Sequence, residues 1–217
     1  MAVNSTAYHT ISKELAATDT TLIAVSKTKP AEDIKELYEL GQRDFGENYV
    51  QELVEKAAQL PADIRWHFIG HLQTNKVKLI VPFVQLIHGV DSLKLLKEIN
   101  KEAAKCNRVV DCLLQVHIAQ EETKFGLDET ELAETMALAA ELKLMNVNVI
   151  GLMGMASFTT DMDNVRKEFR QLKGIFEHYA AFTTLSMGMS SDYRIAVEEG
   201  STMVRIGSLL FGERSKV

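Results

Sequence analysis

Residues 22–40, "LIAVSKTKPAEDIKELYEL", contain one complete unit of the fold. The run from Leu22 to Val25 is apolar and partly β-branched, as a buried strand requires, and Pro30 punctuates its exit. From Ala31 the apolar period changes from two to that of a helix, with Ile34, Leu37 and Tyr38 on one face. The same change recurs down the chain. A helix-like stretch over residues 5–17 comes first. Strand-like runs then follow at "RDFGE", "RWHFIG", "FVQLIHGV", "VVDCLLQVHI", "VNVIGLMGM", "FTTLSM" and "TMVRIG". Helical stretches answer them at 49–59, from Thr74 onward, at 92–104, 129–142, 164–179 and 192–198, and in the short "SLLFG". Strands alternating with helices build a parallel sheet. Eight such units, with short links and no break in composition, predict an α/β protein. Its fold is a single (β/α)8 TIM barrel with an extra N-terminal helix, and residues 1–217 form one domain. A doubly wound open sheet is the competitor, but no G-x-G-x-x-G follows the first strand.

The 217 residues are 46% hydrophobic and 25% charged, the balance of a soluble globular protein with a sizeable core. Net charge is −6, from 24 Lys and Arg against 30 Asp and Glu, and no basic run stands out. Nucleic-acid binding needs clustered positive charge, so it is not expected. The first seventeen residues lack a basic start leading into a long apolar stretch, and the apolar runs are too short to span a bilayer. A cytoplasmic protein is therefore expected, with no membrane partner. Cys106 and Cys112 have no C-x-x-C spacing and read as reduced thiols.

In such barrels the active site forms at the C-terminal ends of the strands, which makes the end of each strand informative. Side chains alternate, so Ile23, Val25 and Lys27 share a face, and an inward Val25 brings Lys27 into the mouth. His67 and His71 have i, i+4 spacing, a zinc signature only if one helix carries both. Here they bracket a strand end, so metal binding is not expected and His67 is placed at the mouth as a packed, hydrogen-bonded side chain. No GxSxG or GxxxxGK[ST] motif is present. "SMGMSSD" places Gly188, Ser190 and Ser191 after the seventh strand, and "RIGSLLFG" places Gly207 and Ser208 after the eighth. These loops, next to helix N-termini, are the frequent phosphate site of the fold, although serines there also serve as N-caps. Arg205 interrupts an apolar strand and must meet an anion, a ligand acceptor or a carboxylate. Asn48 in "FGENYVQE" reads as an N-cap, with Gln51 completing a capping box, yet it also lies at the end of the second strand.

A lysine at the first strand, a phosphate cradle at the seventh and eighth, and an arginine between them match one small molecule. Pyridoxal 5′-phosphate (PLP) offers an aldehyde, a phosphate and a ring nitrogen. A fixed cation beside that nitrogen keeps it unprotonated and makes the ring a poorer electron sink. A barrel acting on a phosphorylated sugar would explain the phosphate loops, but not Lys27 together with Arg205.

The blocks "LIAVSKTKP", "DFGENYVQE", "WHFIGHLQTNK", "KFG", "GLMGM" and "LSMGMSSDYRIAVEEGSTMVRIGSLLFG" closely resemble the pyridoxal phosphate homeostasis protein family, from Leu22 to Arg214. That resemblance implies the alanine racemase N-terminal barrel and a PLP cofactor held as a Schiff base on Lys27. It places Asn48 beside the cofactor ring, Arg205 at the pyridine nitrogen, and Ser190, Gly207 and Ser208 on the phosphate. Lys124 of "KFG" matches a family lysine near the site. Ser208 stands where threonine is common, and His71 where a non-ionisable residue is expected. The implied function is PLP homeostasis, buffering the cofactor and delivering it to apo PLP-dependent enzymes. It requires no catalytic turnover, and the protein is expected as a monomer. An amino-acid racemase is the alternative, although racemases of this fold add a second domain and none is expected after the eighth unit here.

Overall fold

The computed structural model describes residues 3–121 and 125–212. Helix α1 (Ser5–Ala16) comes first, its N-terminus capped by the Asn4 side chain, which accepts from the Ala7 N–H. The barrel units then run β1 (Thr21–Val25) and α2 (Ala31–Glu39), β2 (Asp44–Glu47) and α3 (Val50–Gln59), β3 (Arg65–Phe68) and α4 (Val77–Ile80). They continue with β4 (Leu86–Val90) and α5 (Leu93–Lys105), then β5 (Val110–Gln115) and α6 (Glu129–Glu141). The last three are β6 (Val147–Met153) and α7 (Met162–Glu177), β7 (Thr184–Ser186) and α8 (Tyr193–Glu198), and β8 (Met203–Ile206) and α9 (Ser208–Phe211).

Neighbouring strands pair in parallel in chain order, and β8 returns to β1, so the sheet is a closed barrel. The closing register sets Leu22 opposite Val204 and Ile23 opposite Arg205. The expected α/β barrel with its leading helix is therefore the observed fold. The stretch from Thr74 is shorter than a full helix: a 3-10 turn (Thr74–Lys76) leads into one α-helical turn. Val81 keeps helical angles, but Pro82 has no N–H with which to continue the helical hydrogen bonds. Among the described residues no helix is long and apolar enough to cross a membrane.

Alternation along the strands splits the buried side chains into two layers. Phe45, Trp66, Phe68, Ile87 and Val204 point outward and pack with helix residues such as Ile34, Leu53 and Phe169 in one continuous shell. Ile23, Leu86, Leu113, Met153 and Met203 point inward as a small separate cluster. The rest of the interior is polar: Asp44, His67, His88, Gln115, Ser186 and Arg205 are all buried. Branched apolar layers usually fill such a barrel. Here each buried polar atom needs a hydrogen-bond partner to offset its desolvation. Gly151 lets β6 and β7 approach, since a Cβ there would sit 1.7 Å from the Thr184 carbonyl oxygen.

Candidate cofactor site at the barrel mouth

The alternation predicted for β1 holds: Ile23 lies inside the barrel, and Val25 and Lys27 line a cavity at its mouth. The loop that carries Lys27 is held in an unusual shape. Thr28 has φ +64°, a left-handed conformation that costs a β-branched residue about 1–2 kcal/mol. Its N–H donates to Glu52 Oε1 at 2.6 Å. The Lys56 ammonium sits beneath, donating to Ser26 O at 2.8 Å, to Glu47 Oε1 at 2.7 Å and to Glu52 Oε1 at 2.7 Å. The Ser26 hydroxyl adds a 2.6 Å bond to Glu47. Glu47 is fully buried; burial pushes its carboxyl above the usual range, with the charge and hydrogen bond of Lys56 opposing. The "GENYVQE" block thus has a physical reason. Glu47 turns outward from β2 towards α3, and Glu52 and Lys56, one helical turn apart, clamp the Lys27 loop. Lys29 reaches across to the end of α9, where its Nζ donates to the Phe211 carbonyl at 2.7 Å.

All six residues singled out from the sequence, Lys27, Asn48, Ser190, Arg205, Gly207 and Ser208, line this one cavity of about 510 Å³. Ile69, Met155 and Met189 add apolar wall. That size and lining suit a small ligand with a few placed polar contacts.

Asn48 is not the helix cap that the sequence suggests. The residue before α3 is Tyr49, with no side-chain cap, and Gln51 bonds Glu55 instead of turning back. The helix starts one residue later than a cap at Asn48 requires. Its Oδ1 is buried with no hydrogen-bond partner, which leaves an acceptor at the cavity edge. Gly70 fixes that backbone, since a Cβ there would meet Asn48 O at 2.3 Å.

Ser190 and Ser191 do not cap α8 either; Asp192 precedes it and accepts from the Met189 N–H at 2.6 Å. The Ser190 hydroxyl accepts from the Gly207 N–H at 3.2 Å and so ties the loops after β7 and β8 together. Ser208 opens α9, whose first turn presents N–H groups that helix geometry leaves without intrahelical partners.

Arg205 is 4% exposed, and its hydrogen bonds go to a hydroxyl and a carbonyl, not to the carboxylate considered from the sequence. Nη1 donates to Ser186 Oγ at 2.6 Å and Nη2 to Gly154 O at 3.0 Å. Burial lowers its pKa to about 10, with Asp192 opposing through space, so it stays a cation at neutral pH.

His67 corrects an expectation. It lies in the interior towards the base of the barrel, not at the mouth, with its ring nitrogens 3.0 Å from His88 and from Asp44. Its register opposite Gly46 and Leu86 sets it one inward layer below Ile69, which is the residue of this segment that lines the mouth. His71 is exposed, stacked on Phe125 at 4.7 Å and 3.1 Å from Asp91. No cluster of potential metal ligands occurs among the described residues. Lys124 lies outside the described residues. The sequence reading missed Glu47, Glu52 and Lys56, although the outward Glu on an apolar strand and the i, i+4 pair were visible signals.

Two levels of kinship follow. The sequence profile described as alanine racemase, N-terminal domain, matches residues 7–215. Among curated proteins, the pyridoxal phosphate homeostasis protein of Aquifex aeolicus is 46% identical over 199 residues, 89% of this chain and 86% of that protein. The human pyridoxal phosphate homeostasis protein is 41% identical over 221 residues, 93% of this chain and 79% of that protein. The solved structure of PipY from Synechococcus elongatus with PLP bound superposes with a TM-score of 0.81 at 37% identity, covering 92% of this chain and 99% of that one. The chain belongs to the pyridoxal phosphate homeostasis protein family, on the alanine racemase N-terminal barrel.

Proposed function

We propose that this protein binds PLP at the barrel mouth and serves its homeostasis in the cytoplasm, holding the cofactor and handing it on without turning over amino acids. The observation that carries the reading is the convergence of Lys27, Arg205 and the Ser190–Gly207 cradle on one cavity, with an unpartnered Asn48 acceptor at its edge. When bound, the cofactor supplies an aldehyde that condenses reversibly with a primary amine, releasing water. Lys27 is the amine that holds it, and the Glu47–Lys56–Glu52 clamp keeps that side chain aimed at the mouth. Ser190, Ser208 and the Gly207 backbone take the phosphate. A Cβ at Gly207 would lie 3.3 Å from Val25 O, so glycine lets this loop sit close against β1. Arg205 presents its charge to the ring nitrogen and opposes protonation there, which withholds the electron sink that amino-acid chemistry needs. Asn48 lies beside the ring. In this reading residues 1–217 act as one binding unit and as a monomer.

The experiment loads the protein with PLP and compares it with Lys27→Ala and Lys29→Ala. Lys27→Ala is expected to abolish the visible band of the bound cofactor with unchanged far-UV circular dichroism; Lys29→Ala retains it. The loaded protein is then tested for reactivation of an apo PLP enzyme, and for L-to-D conversion or keto-acid formation. Cofactor transfer without appreciable turnover is expected. Racemisation that disappears in Lys27→Ala would establish the racemase reading instead.

A further inference from the structure

Behind Arg205 a file of polar side chains runs down the barrel axis, buried as far as Asp44 and ending on the exposed Arg65. The Arg205 guanidinium donates to Ser186 Oγ at 2.6 Å, and Ser186 Oγ lies 3.0 Å from His88 Nδ1. His88 Nε2 lies 3.0 Å from His67 Nδ1, and His67 Nε2 lies 3.0 Å from Asp44 Oδ1. Arg65 closes the file, donating to both Asp44 oxygens at 2.7 and 2.5 Å. Five strands supply the six residues. One end meets the mouth cavity, and the other meets a second cavity of about 250 Å³ at the base, lined by Asp44, Arg65, His67 and Asp111.

The inventory of donors and acceptors gives each link one direction when both rings are neutral and every proton has an acceptor. A guanidinium only donates, so Ser186 Oγ accepts from it and its own proton is left for His88 Nδ1. That makes His88 the Nε2–H tautomer, donating to His67 Nδ1. From the other end, burial pushes the Asp44 carboxyl up, but hydrogen bonds from His67 and Arg65 outweigh it and hold it below the usual range. An ionised Asp44 only accepts, so His67 Nε2 carries a proton. With both rings neutral, the two ends agree on Nε2–H imidazoles at His88 and His67. Burial above all holds His88 well below the ordinary histidine range, so its ring is neutral. A proton added at His67 would force His88 to the other tautomer. Ser186 Oγ would then accept twice, and its hydroxyl proton would lose its acceptor. The other charged groups facing the file are Asp111 at the base and Asp192 near Arg205.

We propose that Ser186, His88, His67 and Asp44 are positioning residues for Arg205, a one-way chain of donors that fixes the guanidinium from the opposite end of the barrel. The chain couples the base cavity to the group that faces the ligand. Its link to the cofactor rests on the function proposed above, but its existence does not.

The test begins on the apo protein with 15N-labelled histidine and arginine. At neutral pH both His67 and His88 are expected as neutral Nε2–H tautomers; an Nδ1–H tautomer or an imidazolium at either overturns the proposal. Ser186→Ala and His88→Leu are expected to shift the Arg205 side-chain 15N–H signals, and in PLP-loaded protein the absorption maximum. Asp44→Leu is expected to shift the same Arg205 signals from the far end of the barrel, whereas Asp44→Asn, which keeps an acceptor for His67, preserves them. Unchanged Arg205 signals in folded His88→Leu refute the coupling. Should Asp44→Leu fail to fold, the wild-type tautomers and Asp44→Asn still decide. Failure to bind PLP sinks the proposed function but leaves the tautomer and Arg205 measurements in force.

Discussion

Replacing Lys56 with methionine isolates the clamp beneath the Lys27 loop. Glu47 is 0% exposed and has two hydrogen-bond donors, Lys56 and the Ser26 hydroxyl, both on Oε1. Lys56→Met leaves a buried carboxylate with a single hydroxyl, a change that costs about 3–5 kcal/mol when one partner of a buried pair is removed. Protonation of Glu47 caps that loss, because each pKa unit above neutrality costs only about 1.4 kcal/mol. Glu47 already has a folded-state pKa raised by burial, so the folded state binds more protons than the unfolded chain. Stability from this group is therefore full below the ordinary glutamate range and lost as pH rises through the raised value. Loss of Lys56 moves that upper limit higher. The difference in stability between wild type and Lys56→Met should shrink as pH falls from about 8 to about 6, by at most about 1.4 kcal/mol per pH unit. Urea denaturation at three pH values measures it. Glu47→Gln combined with Lys56→Met removes the buried charge and is expected to recover most of the loss. A pH-independent difference, or a double variant no better than the single, would refute the argument.

Ser190→Ala removes the hydroxyl that joins the loops after β7 and β8. A hydrogen bond to a charged group contributes about 1.5–3 kcal/mol, so PLP affinity should fall roughly ten- to a hundredfold. Pyridoxal should bind far more weakly than PLP; equal affinities in a fluorescence titration would remove the phosphate site. Arg205→Gln should alter the absorption spectrum of the loaded protein while PLP stays on Lys27, and an unchanged spectrum in a folded, loaded variant would mean that the ring nitrogen lies elsewhere. Cys106 is exposed, and Cys112 is buried with its thiol pushed far up by burial and Asp111. A thiol reagent should modify one cysteine in the native protein and both in urea.

The barrel was legible because each unit carries its own signal, a change of hydrophobic period at a strand end. Lys27 was legible for the same reason, since alternation from Ile23 through Val25 fixed its face. Asn48 was placed at the site, but its reading as an N-cap failed, because a sequence that satisfies a capping box precedes a helix that starts only at Val50. His67 was misplaced because sequence does not say how far along a short strand the mouth begins. The polar file behind Arg205 was beyond reach: Ser186 meets His88 across 98 positions of sequence. A lone His in "FVQLIHGV" gives no hint of a partner on another strand.

The beginning and end of the barrel are knotted into one corner: β1 pairs with β8, the Asn4 N–H bonds Leu210 O, and Lys29 Nζ bonds Phe211 O. Lys29 and Phe211 are 182 residues apart. On a ribosome adding roughly 5–20 residues per second, Lys27 is made roughly 10–40 s before the strand and loop that complete its pocket. A nascent chain therefore carries Lys27 before Ser190, Arg205 and Gly207 exist to line the cavity with it. Under the function proposed above, tight holding of the aldehyde is then a property of the completed barrel, because a truncated chain offers only an amine without the contacts from the last two strands.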